Sequence, residues 1–276
     1  SMEDVKHSFK NTLKENLALA VYNTGYQKCA PGYTWGPALR DHYPDWMENR
    51  AAQYDATRAA FTAAMEAHGV PLLDLTETYR AVDDLTEYYS TVDHHYTLQG
   101  AALAYQAVCD ALELPFVQPD VQVTDQVFIG TYNRKLYGLS PVSEQFQSDL
   151  AESIPYSRWD NGERTDRPMI DASGAEAYYT AYMGGDMGET IVQTGRPELG
   201  KILIVGDSFT NAFETLDARE KACGMGEVIK YGCIWDADLF KNLEAPGSFE
   251  DLKKDLTEVI YRCVDIKRIV VEHDQF

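Results

Sequence analysis

The sequence lacks the features that typify zinc-knuckle, disulfide-framework, membrane-spanning and polyanion-binding proteins. Its five cysteines include no CxxC pair, so they predict neither a zinc knuckle nor a dense set of disulfides. No apolar run approaches the roughly 18 residues that a membrane-spanning helix needs. Only 24 Lys and Arg stand against 44 Asp and Glu, which gives a net charge of −20, and the basic residues form no dense cluster. We therefore expect neither nucleic acid nor anionic membrane surfaces as partners.

What the sequence does contain is an alternation of helical and strand patterns. With 276 residues, 45% of them hydrophobic, the chain can bury a full core. Short apolar runs predict strands, and longer periodic segments between them predict helices. This alternation of strands and helices is typical of right-handed βαβ units, and it predicts an α/β fold built on a parallel sheet. The predicted strands are 17–22, 70–73, 202–205, 227–231 and 267–272, and the main predicted helices are 48–68, 98–112 and 249–264.

Residues 113–200 break this alternation. Pro115 and Pro119 interrupt the chain, and residues 121–127, 128–132 and 135–139 have the composition of short strands. Turn-rich polar segments follow. We therefore expect one domain over residues 1–276, with 113–200 as a β-rich insertion packed near the functional site.

The most informative stretch is KILIVGDSFTNAFETL, residues 201–216. An apolar run ends at Gly206, and capping side chains then precede a new apolar pattern, so a helix is expected to begin at or just after Ser208. Ser208 would lie at the carboxyl edge of the sheet, where ligands bind in open α/β folds. Two interpretations stand: Ser208 is a nucleophile beside oxyanion-stabilising N–H groups, or it is a helix N-cap.

A second stretch places Asp93 and His95 directly before Thr97, a predicted N-cap of helix 98–112. On an extended segment these two side chains project to the same side, while His94 points away. A histidine that acts as general base needs such a carboxylate to fix its tautomer. Two alternatives are a structural Asp–His pair at the helix cap and a metal site formed by Asp93, His94 and His95. Adjacent histidines bind one ion with difficulty, so no metal is predicted.

Residues 22–46 form a predicted loop that is rich in aromatic side chains. Tyr26, Tyr33 and Trp35 belong to it, and Gly and Pro residues exclude regular structure. Flat aromatic faces on a loop at the ligand edge suit sugar rings, so these three residues are candidate substrate-binding residues. The alternative is that the rings only cover the edge of the sheet.

These motifs resemble a known family. VGDSFT, residues 205–210, looks like the nucleophile block of SGNH hydrolases, and VDHHYTLQGA, residues 92–101, resembles the DHHW signature with Tyr96 at the tryptophan position. The Asp-His block precedes the serine block, which is similar to the circularly permuted order of the DHHW family and the alginate O-acetyltransferases. The resemblance implies a flavodoxin-like, three-layer parallel sheet and no cofactor. It also implies a triad of Ser208 as nucleophile, His95 as general base and Asp93 as the orienting carboxylate.

The same resemblance implies the remaining features of the site. The oxyanion hole would be formed by the backbone N–H of Ser208 together with Gly232 and Asn211. The expected activity is O-acetyl transfer to, or acetyl-ester hydrolysis on, a cell-surface or extracellular polysaccharide, with a membrane acyl-donor protein as a further expected partner. The resemblance also implies an exported or surface-tethered protein. No signal peptide opens the chain, but Ser1-Met2 is typical of a tag remnant, so the signal or anchor is expected to lie outside this sequence.

An alternative function is a surface glycan-binding protein that has the SGNH-like fold but no turnover. Two features motivate it: the six aromatic rings between residues 22 and 46, and the last predicted strand, which leads into EHDQF, where the asparagine of ordinary SGNH hydrolases is missing.

Overall fold

The fold is an α/β arrangement around one large mixed sheet. The computed structural model describes residues 17–22, 71–137, 139, 142–149, 154–206, 208–219, 226–232 and 268–273, with individual helical positions between 56 and 67. Within these residues the chain forms an eight-stranded sheet and a smaller three-stranded sheet.

The strands of the described residues are numbered here in chain order. They are β1 Leu17–Tyr22, β2 Leu72–Asp74, β3 Val121–Phe128, β4 Glu144–Asp149, β5 Ser157–Asp160, β6 Glu163–Thr165, β7 Glu176–Ala177, β8 Glu189–Gln193, β9 Lys201–Gly206, β10 Glu227–Gly232 and β11 Arg268–His273.

The main sheet has the order β2-β1-β11-β9-β10-β8-β5-β6. The pairs from β2 to β10 are all parallel, and the pairs from β10 to β6 are antiparallel. The predicted parallel α/β sheet is therefore confirmed in its first five strands. β9 lies inside the parallel part, between β11 and β10, in keeping with its apolar run, which suits a strand covered on both faces.

Four α-helices are described: α1 Thr76–Arg80, α2 Leu98–Ala111, α3 Thr131–Lys135 and α4 Thr210–Arg219. Single 3₁₀ turns span Leu85–Glu87, Tyr179–Ala181 and Pro197–Leu199. The predicted N-cap of α2 is confirmed, since the side chain of Thr97 accepts a hydrogen bond from the Gly100 backbone N–H at 3.1 Å. α4 begins two residues after Ser208, as the capping pattern predicted.

The core lies between α2, α4 and the sheet. Buried residues of α2 pack against α4, where the rings of Tyr105 and Phe213 meet edge to face with centroids 5.5 Å apart. Ile202 and Ile204 of β9 and Val228 of β10 join the same buried cluster. This packing fixes the end of β9 and the start of α4 relative to α2, and so positions the two sequence blocks that contain the candidate site residues.

The region 113–200 differs from the prediction in two respects. β3 forms where a strand was predicted. The strands predicted at 128–132 and 135–139 are wrong, because residues 131–135 form α3 and the next two residues form a turn. The backbone N–H of Tyr132 donates to Val92 O at 2.9 Å, which shows that tertiary contacts override the local strand propensity. Furthermore, β5, β6 and β8 extend the main sheet, whereas β3, β4 and β7 form the smaller one.

Several predicted elements lie outside the described residues. They include the amphipathic segment 3–15, the aromatic loop 22–46 beyond Tyr22, and the helix 249–264. Among the described residues no helix is long and apolar enough to cross a bilayer.

Candidate active site

Ser208, His95 and Asp93 form a continuous hydrogen-bonded chain. The His95 Nε2 atom lies 2.7 Å from Ser208 Oγ, and His95 Nδ1 lies 2.6 Å from Asp93 Oδ1. With the ring proton on Nδ1, His95 donates to Asp93 and accepts from the Ser208 hydroxyl. The sequence predicted that these side chains would meet, and the distances confirm that proximity. This is the arrangement in which a serine hydroxyl transfers its proton to a histidine.

Two different parts of the fold supply these three side chains. Ser208 lies in the turn between β9 and α4, at the carboxyl edge of the parallel strands. Asp93 and His95 lie in a bend that leads into α2. Asp93 and His95 are buried, with exposed fractions of 2% and 5%, whereas Ser208 is half-buried. The nucleophile candidate is therefore the member of the chain that solvent or a substrate reaches.

The environment of Asp93 favours its charged form. Burial alone would raise the pKa of this carboxyl group, but the charge and hydrogen bond of His95 more than offset burial and lower the pKa below its ordinary value. His94 and the Thr131 backbone N–H act in the same direction. Thr131 N donates to Asp93 Oδ2 at 2.6 Å, so each carboxylate oxygen has its own donor. These contacts therefore favour the ionised carboxylate, which accepts the hydrogen bond from the imidazole.

The 90–95 segment is held by a second acidic residue, Glu144 of β4. Its Oε2 atom accepts from the Thr91 backbone N–H at 2.8 Å and from the Ser90 hydroxyl at 3.2 Å. Ser90 Oγ in turn accepts from the Asp93 backbone N–H at 2.9 Å. Burial raises the pKa of Glu144, although the hydrogen bonds from Thr91 and Ser90 oppose the shift. Glu144 therefore connects the small sheet to the backbone that presents Asp93.

His94 does not point away from the site, contrary to the prediction. Its ring centroid lies 3.8 Å from that of His95, and its Nδ1 atom is 3.4 Å from Asp93 Oδ1. The reason is that residues 91–95 form a bend, so the alternation of an extended strand does not apply. Asp93, His94 and His95 offer ligand atoms within 4.8 Å of one another. Because both His95 nitrogens already face Asp93 and Ser208, a metal ion here would compete with those hydrogen bonds.

The predicted oxyanion residues occupy different environments. Gly232 is the last residue of β10 and pairs with Gly206 of β9. Gly206 precedes Ser208 by two residues, so Gly232 lies near the Ser208 turn. Asn211 is fully buried: its Nδ2 donates to Asp186 Oδ1 at 3.1 Å, and its Oδ1 accepts from the Lys230 ammonium. The Asn211 backbone N–H also donates to Ser208 O at 3.1 Å. These contacts favour a role for Asn211 in holding the Ser208 turn.

Three residues near the site were not found from the sequence: Thr131, Glu144 and Tyr179. Thr131 acts through its backbone N–H, which no sequence pattern reveals. Tyr179 lies in a turn-rich segment without periodicity, yet its ring stacks on His95 with centroids 3.7 Å apart. Tyr96, at the position where the DHHW signature has tryptophan, packs edge to face on Phe209 and donates its hydroxyl to Phe209 O at 2.7 Å.

The candidate sugar-binding residues Trp35, Tyr33 and Tyr26 lie outside the described residues. Their predicted role stays a prediction.

Two separate segments of the chain match protein-family models. Residues 37–158 match the model of the SGNH hydrolase-like domain, acetyltransferase AlgX. Residues 224–276 match a different family model, that of the 3-dehydroquinate synthase C-terminal domain. The second match covers both β10 and β11.

Curated relatives share only a short stretch with this chain. The 3-dehydroquinate synthase of Clostridium perfringens strain 13 is 49% identical over 65 residues, which is 24% of this chain and 19% of that enzyme. The enzyme of Shewanella halifaxensis is 50% identical over 70 residues, with the same coverage. The chain thus spans about a fifth of the length of the curated relatives it matches.

Solved structures resemble the chain over nearly its whole length. PatB1 of Bacillus cereus, solved with a sulfonyl adduct, has a TM-score of 0.62 at 14% identity, and the match covers 98% of this chain and 85% of PatB1. A DHHW family protein from Eubacterium siraeum has a TM-score of 0.56 at 14% identity, covering 98% and 82%. At this identity the likeness concerns the fold. The chain therefore has the α/β fold of these proteins, and its residues 37–158 resemble the SGNH hydrolase-like domain of the acetyltransferase AlgX.

Proposed function

We propose that this chain is a serine O-acetyltransferase or acetylesterase that acts on a cell-surface or extracellular polysaccharide. The observation that carries the proposal is the hydrogen-bonded chain from Asp93 through His95 to Ser208, with distances of 2.6 and 2.7 Å. The acetyltransferase family match over residues 37–158 supports the same reaction class. Asp93 and His95 lie within that match, and Ser208 lies outside it.

In the first half-reaction, Ser208 Oγ attacks the carbonyl carbon of an acetyl donor while His95 Nε2 takes the hydroxyl proton. The new C–O bond forms a tetrahedral intermediate, and its oxyanion is stabilised by backbone N–H groups at Ser208 and Gly232. His95 then returns the proton to the leaving group, and the donor C–O bond breaks. An acetyl-enzyme remains on Ser208.

In the second half-reaction, a sugar hydroxyl or water attacks the acetyl-enzyme, and His95 accepts its proton. Collapse of the second intermediate releases the acetylated sugar or acetate and restores the Ser208 hydroxyl. Transfer to a sugar requires the acceptor to be held close and water to be excluded. The aromatic loop residues Tyr26, Tyr33 and Trp35 are the proposed sugar-binding residues.

The charge of the chain favours certain acceptors. A protein with a net charge of −20 repels an anionic polymer, so we propose a neutral or amino-sugar-containing glycan as acceptor. We also propose that the protein acts outside the cytoplasm and receives acetyl groups from a membrane acyl-donor protein.

A sulfonyl fluoride, which modifies activated serines, tests the nucleophile directly. We expect the intact mass of the protein to increase by one sulfonyl group on Ser208, and acetate to be released from an activated acetyl ester. Ser208→Ala should lose both, whereas Ser173→Ala, a change at an exposed serine, should lose neither. Equal acetate release by wild type and Ser208→Ala would refute the enzyme assignment.

Two further measurements separate the alternatives. Mass spectrometry of neutral, amino-sugar and anionic oligosaccharides incubated with protein and a soluble acetyl donor distinguishes transfer from hydrolysis. Acetate without acetylated sugar assigns an esterase. Calorimetric glycan binding that is lost in Trp35→Ala but unchanged in Ser208→Ala, in a protein without esterase activity, assigns the glycan-binding alternative.

A further inference from the structure

Tyr179 lies face to face with the imidazole of His95. The ring centroids are 3.7 Å apart and the planes are inclined by only 3°. Tyr179 begins the 3₁₀ turn Tyr179–Ala181 and is buried, with 8% exposed. The two rings therefore overlap in van der Waals contact, and rotation of the imidazole out of its plane would collide with the tyrosine.

The hydroxyl of Tyr179 reaches the other half of the site. It donates to Phe209 O at 3.2 Å, and Phe209 directly follows Ser208. The hydroxyl of Tyr96 donates to the same carbonyl oxygen at 2.7 Å. Two tyrosines thus share one acceptor in the Ser208 turn, but Tyr179 is the one whose ring is stacked on His95.

The hydrogen bonds of His95 restrain its two nitrogens more firmly than the plane of its ring. Asp93 and Ser208 bind Nδ1 and Nε2, while tilting about the line between these atoms is opposed only by the bond to Cβ, by the directionality of the hydrogen bonds and by whatever packs on the ring faces. Phe209 and His94 contact the ring at inclinations of 54° and 38°, and neither lies parallel to it. Tyr179 supplies the parallel surface that fixes the tilt.

We propose that Tyr179 is a positioning residue whose ring holds the plane of His95 and thereby keeps Nε2 aimed at Ser208 Oγ. This rests on the proposed function. A positive charge that forms on His95 during proton transfer also gains from the electron-rich tyrosine face. Two other ionisable groups, Asp93 and His94, also contact this imidazole.

NMR tests the stacking without reference to turnover. In the wild type, the ring current of Tyr179 should shift the carbon-bound protons of His95 upfield. Tyr179→Leu should remove this shift, whereas Tyr179→Phe should retain it. Tyr96→Phe is a matched control, because it removes a hydrogen bond to the same Phe209 carbonyl but leaves the stacked ring in place.

Kinetics test the consequence. We expect Tyr179→Leu to lower both kcat for acetyl-ester turnover and the rate of sulfonyl labelling at Ser208 by about ten- to a hundredfold, with KM unchanged, because a misaligned base loses rate and leaves binding intact. Tyr179→Phe and Tyr96→Phe should stay within a few-fold of wild type. Thermal unfolding checks that each variant folds.

An unchanged His95 shift in Tyr179→Leu would overturn the proposal, as would a labelling rate equal to wild type. If Tyr179→Leu does not fold, Tyr179→Phe decides instead: a loss of the upfield shift or a tenfold slower labelling would refute the role of the ring. Absence of acetate release by the wild type refutes the proposed function alone, because the NMR shifts still report on the stacking.

Discussion

The backbone N–H of Thr131 lies 2.6 Å from Asp93 Oδ2, so the first residue of α3 donates directly to the carboxylate of the candidate triad. Gly130 makes this approach possible. A Cβ atom on Gly130 would meet Val92 O at 2.1 Å and Asp93 Cβ at 2.9 Å, distances that real Cβ atoms do not adopt. The small sheet and α3 therefore contribute to the site as well as β9 and α4.

Thr131→Pro removes this donor while keeping the helix start. Proline is tolerated at the first helical position, and Gly130 has the extended backbone that the residue before proline requires, with φ −81° and ψ 171°. A hydrogen bond to a charged group contributes about 1.5–3 kcal/mol, so we expect acetyl-ester turnover to fall by roughly ten- to a hundredfold.

Thr131→Ala, which keeps the N–H, is the matched control and should retain wild-type activity. If the two variants turn over the ester at equal rates, the hydrogen bond from Thr131 to Asp93 does not support catalysis.

The depressed pKa of Asp93 predicts a specific acid dependence of stability. A carboxyl group whose folded-state pKa lies below the ordinary 3.8 is ionised more readily in the folded protein. Its contribution is therefore complete above about pH 5 and is lost as the pH falls through the folded value. Urea unfolding of wild type and Asp93→Asn from pH 7 to pH 3 measures this contribution to the free energy of unfolding. The stability difference between them should be constant above pH 5 and shrink below pH 4; a difference that grows in acid would contradict the prediction.

Glu144 offers a test of how the 90–95 segment is held. Glu144→Ala removes the acceptor of the Thr91 N–H and the Ser90 hydroxyl, and leaving a buried donor unpaired costs about 1–3 kcal/mol. We expect lower thermal stability and slower ester turnover. Glu144→Gln keeps an acceptor oxygen and should resemble wild type. If Glu144→Ala loses stability but no activity, the segment keeps Asp93 in place without Glu144.

The sequence predicted the parts of the site that depend on local patterns. Thr97 as an N-cap and the strand–turn–helix around Ser208 follow from capping residues and apolar periodicity. The contact between His95 and Ser208 followed from the motif resemblance. In contrast, α3 forms from a stretch with strand composition, because Asp93 and Val92 bind its first N–H groups. The orientation of His94 could not be predicted, since the bend at 91–95 is held by tertiary hydrogen bonds to Glu144 as well as by local ones to Ser90.

The two family matches lead to a prediction about the C-terminal segment. β10 and β11, which lie in the 3-dehydroquinate synthase match, flank β9 on both sides in the sheet. Deletion of residues 224–276 should therefore abolish cooperative thermal unfolding followed by circular dichroism, whereas deletion of 274–276, beyond β11, should not. A cooperative transition and sulfonyl labelling at Ser208 in the 1–223 protein would show that β9 does not need these strands.

The pairing of β1 with β11 also determines when the sheet can close. Leu17 pairs with Arg268, so the parallel sheet joins positions separated by almost the whole chain. On a ribosome, β1 and β9 emerge long before β11, the strand that lies between them. Contacts of such high sequence separation slow folding, and strand edges that wait for a partner are prone to aggregate. The yield of folded protein should consequently depend on chaperones during synthesis more than on the stability of the finished sheet.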